Sequence, residues 1–500
     1  MSRAIDPVSA VDWRTAATRV PIPSGLWVGG EEREAAGRRS VITPRDGSTL
    51  SKVAWADASD VDAAVAEART AFDRGPWPRM SARERGEVLL RFADLVEGHR
   101  DEIALLVSLE MGKPIRQAWE VELRAAVRCL RFYGGLADKL AGEITPTVEG
   151  ELSLVTREPA GVVAAVIPWN FPLTIGCWKF APALAAGCTV VLKTAEQSPL
   201  SMLKVAALGA EAGLPPGVFN VLSGDGIVVG RRLGEHPDVD IVTFTGSTAV
   251  GRHFLHYAAD SNLKRVHLEL GGKSPNIVFP DAPDLDEAAD SAAWAIFFNA
   301  GEMCTAGSRL VVHEDVAEQI VDRIVATSSK WQPADPLLPS TLMGPLVDER
   351  SLGRILGQLE EGVGQGARIR TGGSRTLQES GGPYLEPTVV TDAAPDNVLV
   401  RNELFGPVLS VQVFTDEDDA VRVASDTEYG LAAAVWTTDL GRAHRMSRAL
   451  RAGTVWVNCY EEGDMAVPFG GVKLSGNGRD KSRHALEEYT DLKTTWVKYE

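Results

Sequence analysis

Gly161-Val162-Val163-Ala164-Ala165-Val166-Ile167-Pro168 carries no charged side chain, and Thr189-Val190-Val191-Leu192-Lys193 repeats the apolar pattern after a helix-length interval. Strands so nearly apolar belong where both faces of a sheet are covered, the environment of a parallel sheet with crossover helices. Val218 to Leu222, Asp240 to Thr245 and Val266 to Leu270 continue the series. The intervening segments have readable ends: Ser198-Pro199 serves as N-cap and first-turn proline, the periodic run reaches Glu211-Ala212, and Gly213 stops it before Pro215-Pro216. The expected class is α/β.

Outward from that sheet, Val61 to Phe72 and Ala82 to His99 place apolar residues at helical spacing, and Arg100 to Leu109 with Arg116 to Ala141 extends the helical section. Thr145 to Thr156 alternates polar and apolar residues, as an exposed strand pair does. A second α/β unit begins at Asn276-Ile277-Val278-Phe279, followed by a helix from Asp284 to Asn299 and strands at Leu310 to His313 and Val408 to Phe414. Gly362 to Gly382 is rich in glycine and reads as loop. Thr490 to Lys498 alternates again, an edge strand that a lone subunit would leave open to aggregation.

The 500 residues, 44% hydrophobic and 24% charged, suffice for two or three globular domains. A net charge of -17 repels phosphate backbones and anionic lipid, so neither a nucleic acid nor a membrane is expected as partner. Met1 to Pro7 has no apolar signal core, and no stretch supplies the roughly 18 apolar residues of a membrane span. A cytoplasmic protein is expected. Cys129, Cys177, Cys188, Cys304 and Cys459 are widely spaced and form no Cys-x-x-Cys pair, which disfavours a disulfide scaffold. His253 and His256 lack a third ligand, and no metal is expected.

Cys304 lies in Phe298-Asn299-Ala300-Gly301-Glu302-Met303-Cys304-Thr305-Ala306-Gly307, where a small buried apolar residue is the commoner reading. Glu269, at the end of an apolar strand and ahead of Leu270-Gly271-Gly272, offers that thiol a base, because burial raises a carboxylate's pKa. The competing reading is a strand-end carboxylate accepting local amides. Asn170 follows the strand ending at Pro168, at a turn where its amide either satisfies backbone groups or faces an oxyanion. A conventional Gly-x-Gly-x-x-Gly turn is absent, since Gly224-Asp225-Gly226 with Gly230 has one residue too many. Thr245-Gly246-Ser247-Thr248-Ala249-Val250-Gly251 ends a strand in a small polar turn and opens a helix whose free amides suit a pyrophosphate.

Pro168-Trp169-Asn170-Phe171-Pro172, Lys193-Thr194-Ala195-Glu196, Phe244-Thr245-Gly246-Ser247, Glu269-Leu270-Gly271-Gly272-Lys273, Cys304, Glu403-Leu404-Phe405-Gly406-Pro407 and Pro468-Phe469-Gly470-Gly471 occur in that order. Together they resemble the aldehyde dehydrogenase superfamily, from about Leu26 nearly to the C-terminus. Cys177-Trp178-Lys179, Asp260-Ser261-Asn262, Gly463-Asp464-Met465 and Ser475 to Ser482 look most like the gamma-glutamyl-gamma-aminobutyraldehyde dehydrogenases of putrescine breakdown within it.

The resemblance implies NAD-dependent oxidation of an aldehyde to its acid, with Cys304 as nucleophile, Asn170 as oxyanion donor and Glu269 as the base that activates water on the thioester. Lys193 and Glu196 match the pair that holds the adenosine ribose. A carboxylate at Glu196 repels a 2'-phosphate, which favours NAD, with NADP as the alternative that some members accept. Glu403 and Phe405 match residues on the nicotinamide ribose and ring, and Gly246 and Ser247 the pyrophosphate turn. Ile167, Trp169, Gly226, Gly230, Phe244, Gly251 and Leu270 are placed around the cofactor on the same ground. The aldehyde tunnel is assigned to Phe171, Ile175, Trp178, Met303, Thr305, Cys459 and Phe469. Among the acidic residues Glu461, Glu462 and Asp464, Asp464 is the candidate for drawing in a cationic aminoaldehyde.

The chain departs from the family where many members have glutamine-rich residues before the cysteine and this one has Ala300-Gly301-Glu302-Met303. Two rivals stand beside oxidation to the acid. A CoA-acylating dehydrogenase would not need Glu269, and a noncatalytic binding or structural protein on this fold would be free to lose Cys304, Asn170 or Glu269. The family architecture implies a Rossmann-like dinucleotide-binding domain (1–142 and 160–270), an α/β catalytic domain (271–471) and a small β oligomerisation element (143–159 and 487–500), in a homodimer or homotetramer.

Overall fold

A computed structural model describes residues 6–500; residues 1–5, part of the N-terminal stretch considered above, lie outside it. The first of two seven-stranded sheets holds Arg265–Glu269, Ile241–Thr245, Val162–Val166, Thr189–Lys193 and Phe219–Leu222 as parallel neighbours in that order, with Leu26–Val28 and Glu31–Arg33 added antiparallel at one edge. All five residues of Val162–Val166 are buried, as are those of Thr189–Lys193. These five strands coincide with the five apolar runs to within a residue or two. The chain winds outward in one direction from Val162–Val166 and then returns to its other side as Ile241–Thr245. Loops leaving those two strands therefore flank a topological switch point, where open α/β sheets bind ligands.

The second sheet runs Arg368–Thr371, Thr388–Thr391, Val408–Phe414, Arg309–His313, Pro275–Val278, Ala432–Trp436 and Thr454–Val457, parallel except at its first strand. A third sheet of three antiparallel strands joins Thr490–Lys498, Glu151–Pro159 and Glu143–Thr145. Its long pair runs from Thr490 opposite Pro159 to Lys498 opposite Glu151, so the alternation of Thr145 to Thr156 and that of Thr490 to Lys498 belong to one ribbon. No helix of the described residues is long and apolar enough to cross a membrane.

Several elements differ from the sequence reading. Gly362 to Gly382 is not one loop: helix Glu349–Gly364 runs into it, and Arg368–Thr371 and Arg375–Thr376 are strands. Glycine at 362 is a packing choice there, because its position presses against Leu399 and Asn397. The long helix expected over Arg116 to Ala141 breaks into Ile115–Gln117, a π-turn at Ala118–Glu122 and Leu123–Leu136.

Ser198 does not cap the helix Leu200–Glu211; its Oγ has no partner. The cap comes from Glu110, 90 residues away, which accepts from the Leu200 amide at 2.5 Å and from the Ser201 amide and hydroxyl. Burial pushes the Glu110 carboxyl up to about 8. Glu110→Ala strands two buried amides, so a loss of about 2–4 kcal/mol is expected, read from the urea midpoint.

Candidate active site

The helix Pro172–Ala186 fixes one wall of the site. It is buried at every residue except Trp178, which turns outward, and Gly187 ends it in the left-handed region at φ 101°. Asn170 and Phe171 form the turn that leads into it. Asn170 Nδ2 donates to the Glu302 carbonyl at 2.8 Å across 132 residues of sequence, and one of its amide hydrogens is thereby left for a ligand. The Asn170 carbonyl accepts from Lys113 Nζ at 2.9 Å. Lys113 is paired with Glu122, both wholly buried, and Glu122 accepts from the Leu173 amide at 2.9 Å. Nothing in the sequence near Asn170 announces this support.

Cys304 reaches the same place from the second sheet's side. Helix Leu285–Phe297, capped by Asp284, ends earlier than Asn299 because Asn299, Ala300 and Gly301 turn left-handed at φ 49°, 54° and 71°. Such torsions cost free energy in residues other than glycine and persist only where the surroundings hold them. The Glu302 carboxyl supplies one hold, accepting from the Val347 amide at 2.9 Å while its other oxygen is buried without a partner. Burial holds Glu302 well above the carboxylate range.

Cys304 and Asn170 line two cavities at once. One, with a cavity volume of about 270 Å³, is faced by Phe171, Ile175, Trp178, Met303, Thr305 and Phe469, six of the sequence's tunnel candidates, together with Val121, Trp294, Trp456, Glu461, Glu462 and Lys481. The other, of about 460 Å³, is faced by Trp169, Gly246, Ser247, Leu270, Glu403 and Phe405 with Gln197, Asp348, Arg350 and Arg354. The thiol thus stands where a largely apolar channel meets a more polar cleft. Burial pushes it well above the usual thiol range, and the Glu461, Glu403 and Glu269 carboxylates push further. The resting residue is a neutral thiol.

Two tunnel candidates are not brought in. Cys459 packs against the cluster of Ala295, Ala432, Ala434, Trp456 and Tyr460 and is not in the channel lining, and Asp464 turns back to accept from the Ala466 amide at 2.9 Å. The loop carboxylates that face the channel are Glu461 and Glu462. Glu461 sits at φ 59°, a torsion that only the tertiary structure reveals.

Glu269 ends strand Arg265–Glu269 with both carboxylate oxygens buried and unpartnered. Burial raises its pKa well above the ordinary value, nearby Asp480 adds to this, and Lys179 and Arg479 oppose it. Lys179 and Asp480 pair at 2.8 Å beside it. An added Cβ on Gly470 would come within 2.6 Å of Glu269 Oε1, so the backbone of the Phe469-Gly470 segment, which joins the channel wall, lies against this carboxyl.

The cleft fits a dinucleotide. Lys193 Nζ is buried beside the strand end with the Thr194 carbonyl at 2.9 Å, and burial pulls its pKa down to about 8. Glu196 accepts from the Gly226 amide at 2.7 Å, which closes Gly226 to Gly230 over the same strand ends as a single π-turn. The Gly246 amide donates to the Glu269 carbonyl at 3.1 Å, so a pyrophosphate would meet the amides of the following turn, where Ser247 caps helix Thr248–Ala259. Glu403 accepts from the Gly272 amide at 2.9 Å and is pushed up to about 7 by burial. Phe405, at φ 53°, holds its ring edge-on to Trp169 at 5.4 Å. The lining of the cleft includes neither Lys193, Glu196, Gly226 and Gly230 nor Ile167, Phe244 and Gly251: Ile167 and Phe244 are core, and Gly251 gives room to Leu270. Asp348, Arg350 and Arg354 join the lining unforeseen, because helix Glu349–Gly364 and its cap carry no local sign of which sheet edge they meet, and Gln197 joins it from the loop after Thr189–Lys193.

A thiol and a side-chain amide between an apolar channel and a dinucleotide-type cleft, with the buried Glu269 carboxyl packed against the Phe469-Gly470 wall segment and outside both linings, define a two-substrate oxidoreductase. The chain belongs to the aldehyde dehydrogenase family, whose model matches residues 30–495. It is 46% identical over 490 residues to the NADP/NAD-dependent aldehyde dehydrogenase PuuC of Escherichia coli (strain K12), covering 98% of each chain. Among solved structures, the gamma-glutamyl-gamma-aminobutyraldehyde dehydrogenase of Burkholderia cenocepacia J2315 is 54% identical, with a TM-score of 0.96 over 98% of this chain and 99% of that one. The indole-3-acetaldehyde dehydrogenase AldA of P. syringae, solved with NAD+ and IAA, is 49% identical with a TM-score of 0.96, over 97% of this chain and 99% of that one.

Proposed function

We propose that this enzyme oxidises an aldehyde bearing a nitrogen at its far end, an aminoaldehyde or a gamma-glutamyl aminoaldehyde of polyamine breakdown, to the carboxylic acid with NAD. One observation carries the reading: Cys304 and Asn170 face both cavities, so an aldehyde in the channel and a nicotinamide in the cleft would meet at the thiol. The Cys304 sulfur, having lost its proton, adds to the aldehyde carbon, and the free Asn170 N–H stabilises the oxyanion that forms. Lys193, Glu196, Ser247, Glu403 and Phe405 would hold NAD, which would supply the acceptor for the hydride that leaves this adduct. Glu269 then takes a proton from water as the water attacks the thioester, and the acid departs with the thiol restored. Glu196 also favours NAD over NADP, since its carboxylate would repel a 2'-phosphate.

NADH absorbance over an aldehyde panel tests this. Oxidation to free acid, with no requirement for CoA and a preference for nitrogen-bearing aldehydes, is expected; acyl-CoA formation would favour the first rival and no turnover the second.

We infer also that 1–142 with 160–270 forms the cofactor domain, 271–471 the catalytic domain, and 143–159 with 487–500 an oligomerisation element. The support is that each of the five sheets among the described residues falls within one of these divisions. Leu492 and Trp496 on the terminal strand are 62% and 58% exposed, which suits a partner subunit in a cytoplasmic homodimer or homotetramer.

A further inference from the structure

We propose that Lys481 receives an anionic group at the far end of the aldehyde, so that the channel suits a substrate ending in a zwitterionic α-amino acid better than one ending in an amine alone. The proposal rests on the aldehyde oxidation argued above and selects within its substrate class.

Lys481 lines the same channel as Cys304. Its backbone and that of Ser482 lie at φ 63° and 55°, a strained entry to helix Ser482–Glu488. Its Nζ stands 5.7 Å from the centroid of Trp178, whose ring leans on Phe469 at 5.0 Å. A Cβ on Gly463 would lie 3.5 Å from that nitrogen, so the 461–463 loop closes over it. Yet no carboxylate of the described residues is within ion-pair distance. The neighbouring Asp480 is committed to Lys179 at 2.8 Å, and Asp464 to its own loop. Burial lowers the Lys481 pKa while the Glu461 and Asp464 charges oppose that, the signature of a partly desolvated ammonium without a direct partner.

Complementary acceptors face the same space. Glu461 and Glu462 line the channel, and Glu461 Oε1 is buried without a hydrogen-bond partner. A substrate with only an amine finds these acceptors but meets the like charge of Lys481. One with only a carboxylate finds Lys481 but meets the glutamates. An α-amino acid end satisfies both, its carboxylate on Lys481 and its ammonium on the glutamates, in charge-assisted hydrogen bonds. Trp178 and Phe469 suit the apolar stem between that end and the aldehyde.

The test compares aldehydes on the full-length enzyme with saturating NAD. The probe is 4-aminobutanal acylated on nitrogen by the side-chain carboxyl of glutamate, set against the same compound with its α-carboxylate converted to a carboxamide, and against hexanal. The carboxylate form is expected to exceed the carboxamide by about tenfold or more in kcat/KM, chiefly through KM. Lys481→Met is expected to erase that difference while hexanal stays within about twofold, and Lys481→Arg to restore most of it. Equal kcat/KM for carboxylate and carboxamide on the unaltered enzyme, or an equal loss for all three aldehydes in Lys481→Met, overturns the assignment. The substrate pair on the unaltered enzyme decides even if Lys481→Met fails to fold. If hexanal yields no NADH either, the failure lies with aldehyde oxidation itself; if hexanal turns over and the pair is equal, only Lys481 loses its role.

Discussion

Cys304→Ala is expected to abolish NADH formation, by on the order of 10⁵-fold in kcat, while NAD still binds. The argument is covalent. Without the sulfur no adduct forms, and the remaining Asn170 amide can polarise a carbonyl but cannot drive hydride out of an unactivated aldehyde. The cofactor contacts proposed here lie on Lys193, Glu196, Ser247, Glu403 and Phe405, none of which depends on the thiol, so the dissociation constant for NAD, followed by quenching of tryptophan fluorescence, should move by less than about threefold. Appreciable turnover by the variant would remove Cys304 from the mechanism. The half-buried, carboxylate-flanked setting raises the thiol's pKa and adds a second expectation: alkylation by iodoacetamide in the absence of NAD should be slow at neutral pH and accelerate as pH rises.

Glu269→Gln is expected to slow turnover about 10³-fold by stalling release of the acid rather than formation of the thioester. Both oxygens of Glu269 are buried and unpaired, and its pKa is raised, chiefly by burial. Below that raised pKa the group is the neutral acid and cannot take water's proton; above it, the carboxylate is a stronger base than an exposed one. Turnover by the unaltered enzyme should therefore climb with pH through an inflection above the ordinary carboxylate range, and the glutamine variant should lose that limb. Its first turnover should still produce NADH, so rapid mixing should show a burst close to one equivalent per active site. A variant with full steady-state turnover, or one lacking the burst, would assign the base elsewhere.

The two predictions draw on residues of different legibility. Glu269 stands out locally as a carboxylate before Leu270-Gly271-Gly272, whereas Cys304, whose Ala- and Gly-rich surroundings alone suit a buried apolar residue, stands out through the ordered motifs that carry the family resemblance. The parallel strands were equally local, since burial on both faces forces near-continuous apolar runs. The cap on helix Leu200–Glu211 was not, because Ser198-Pro199 satisfies the local rule while Glu110 satisfies the amides from another helix. Glycine content misread 362–382 for a similar reason: a glycine chosen so that a helix can approach Leu399 looks the same in sequence as one chosen for a turn.

By itself the sequence determined the α/β class and the strands of the cofactor sheet, which depend on residue type and short-range pattern, while its ordered motifs, through the family resemblance, singled out the thiol, the carboxyl and the amide as candidates. Tertiary structure alone decided that Lys113 and Glu122 hold Asn170, that Glu461 and Glu462 rather than Asp464 line the channel, that Cys459 is left out of that lining, and that Lys481 stands there without a carboxylate partner among the described residues. These are matters of where side chains from distant segments converge. The direction of a side chain in an irregular turn follows from backbone torsions such as those of Glu461 and Lys481, which packing between segments imposes and no periodicity records.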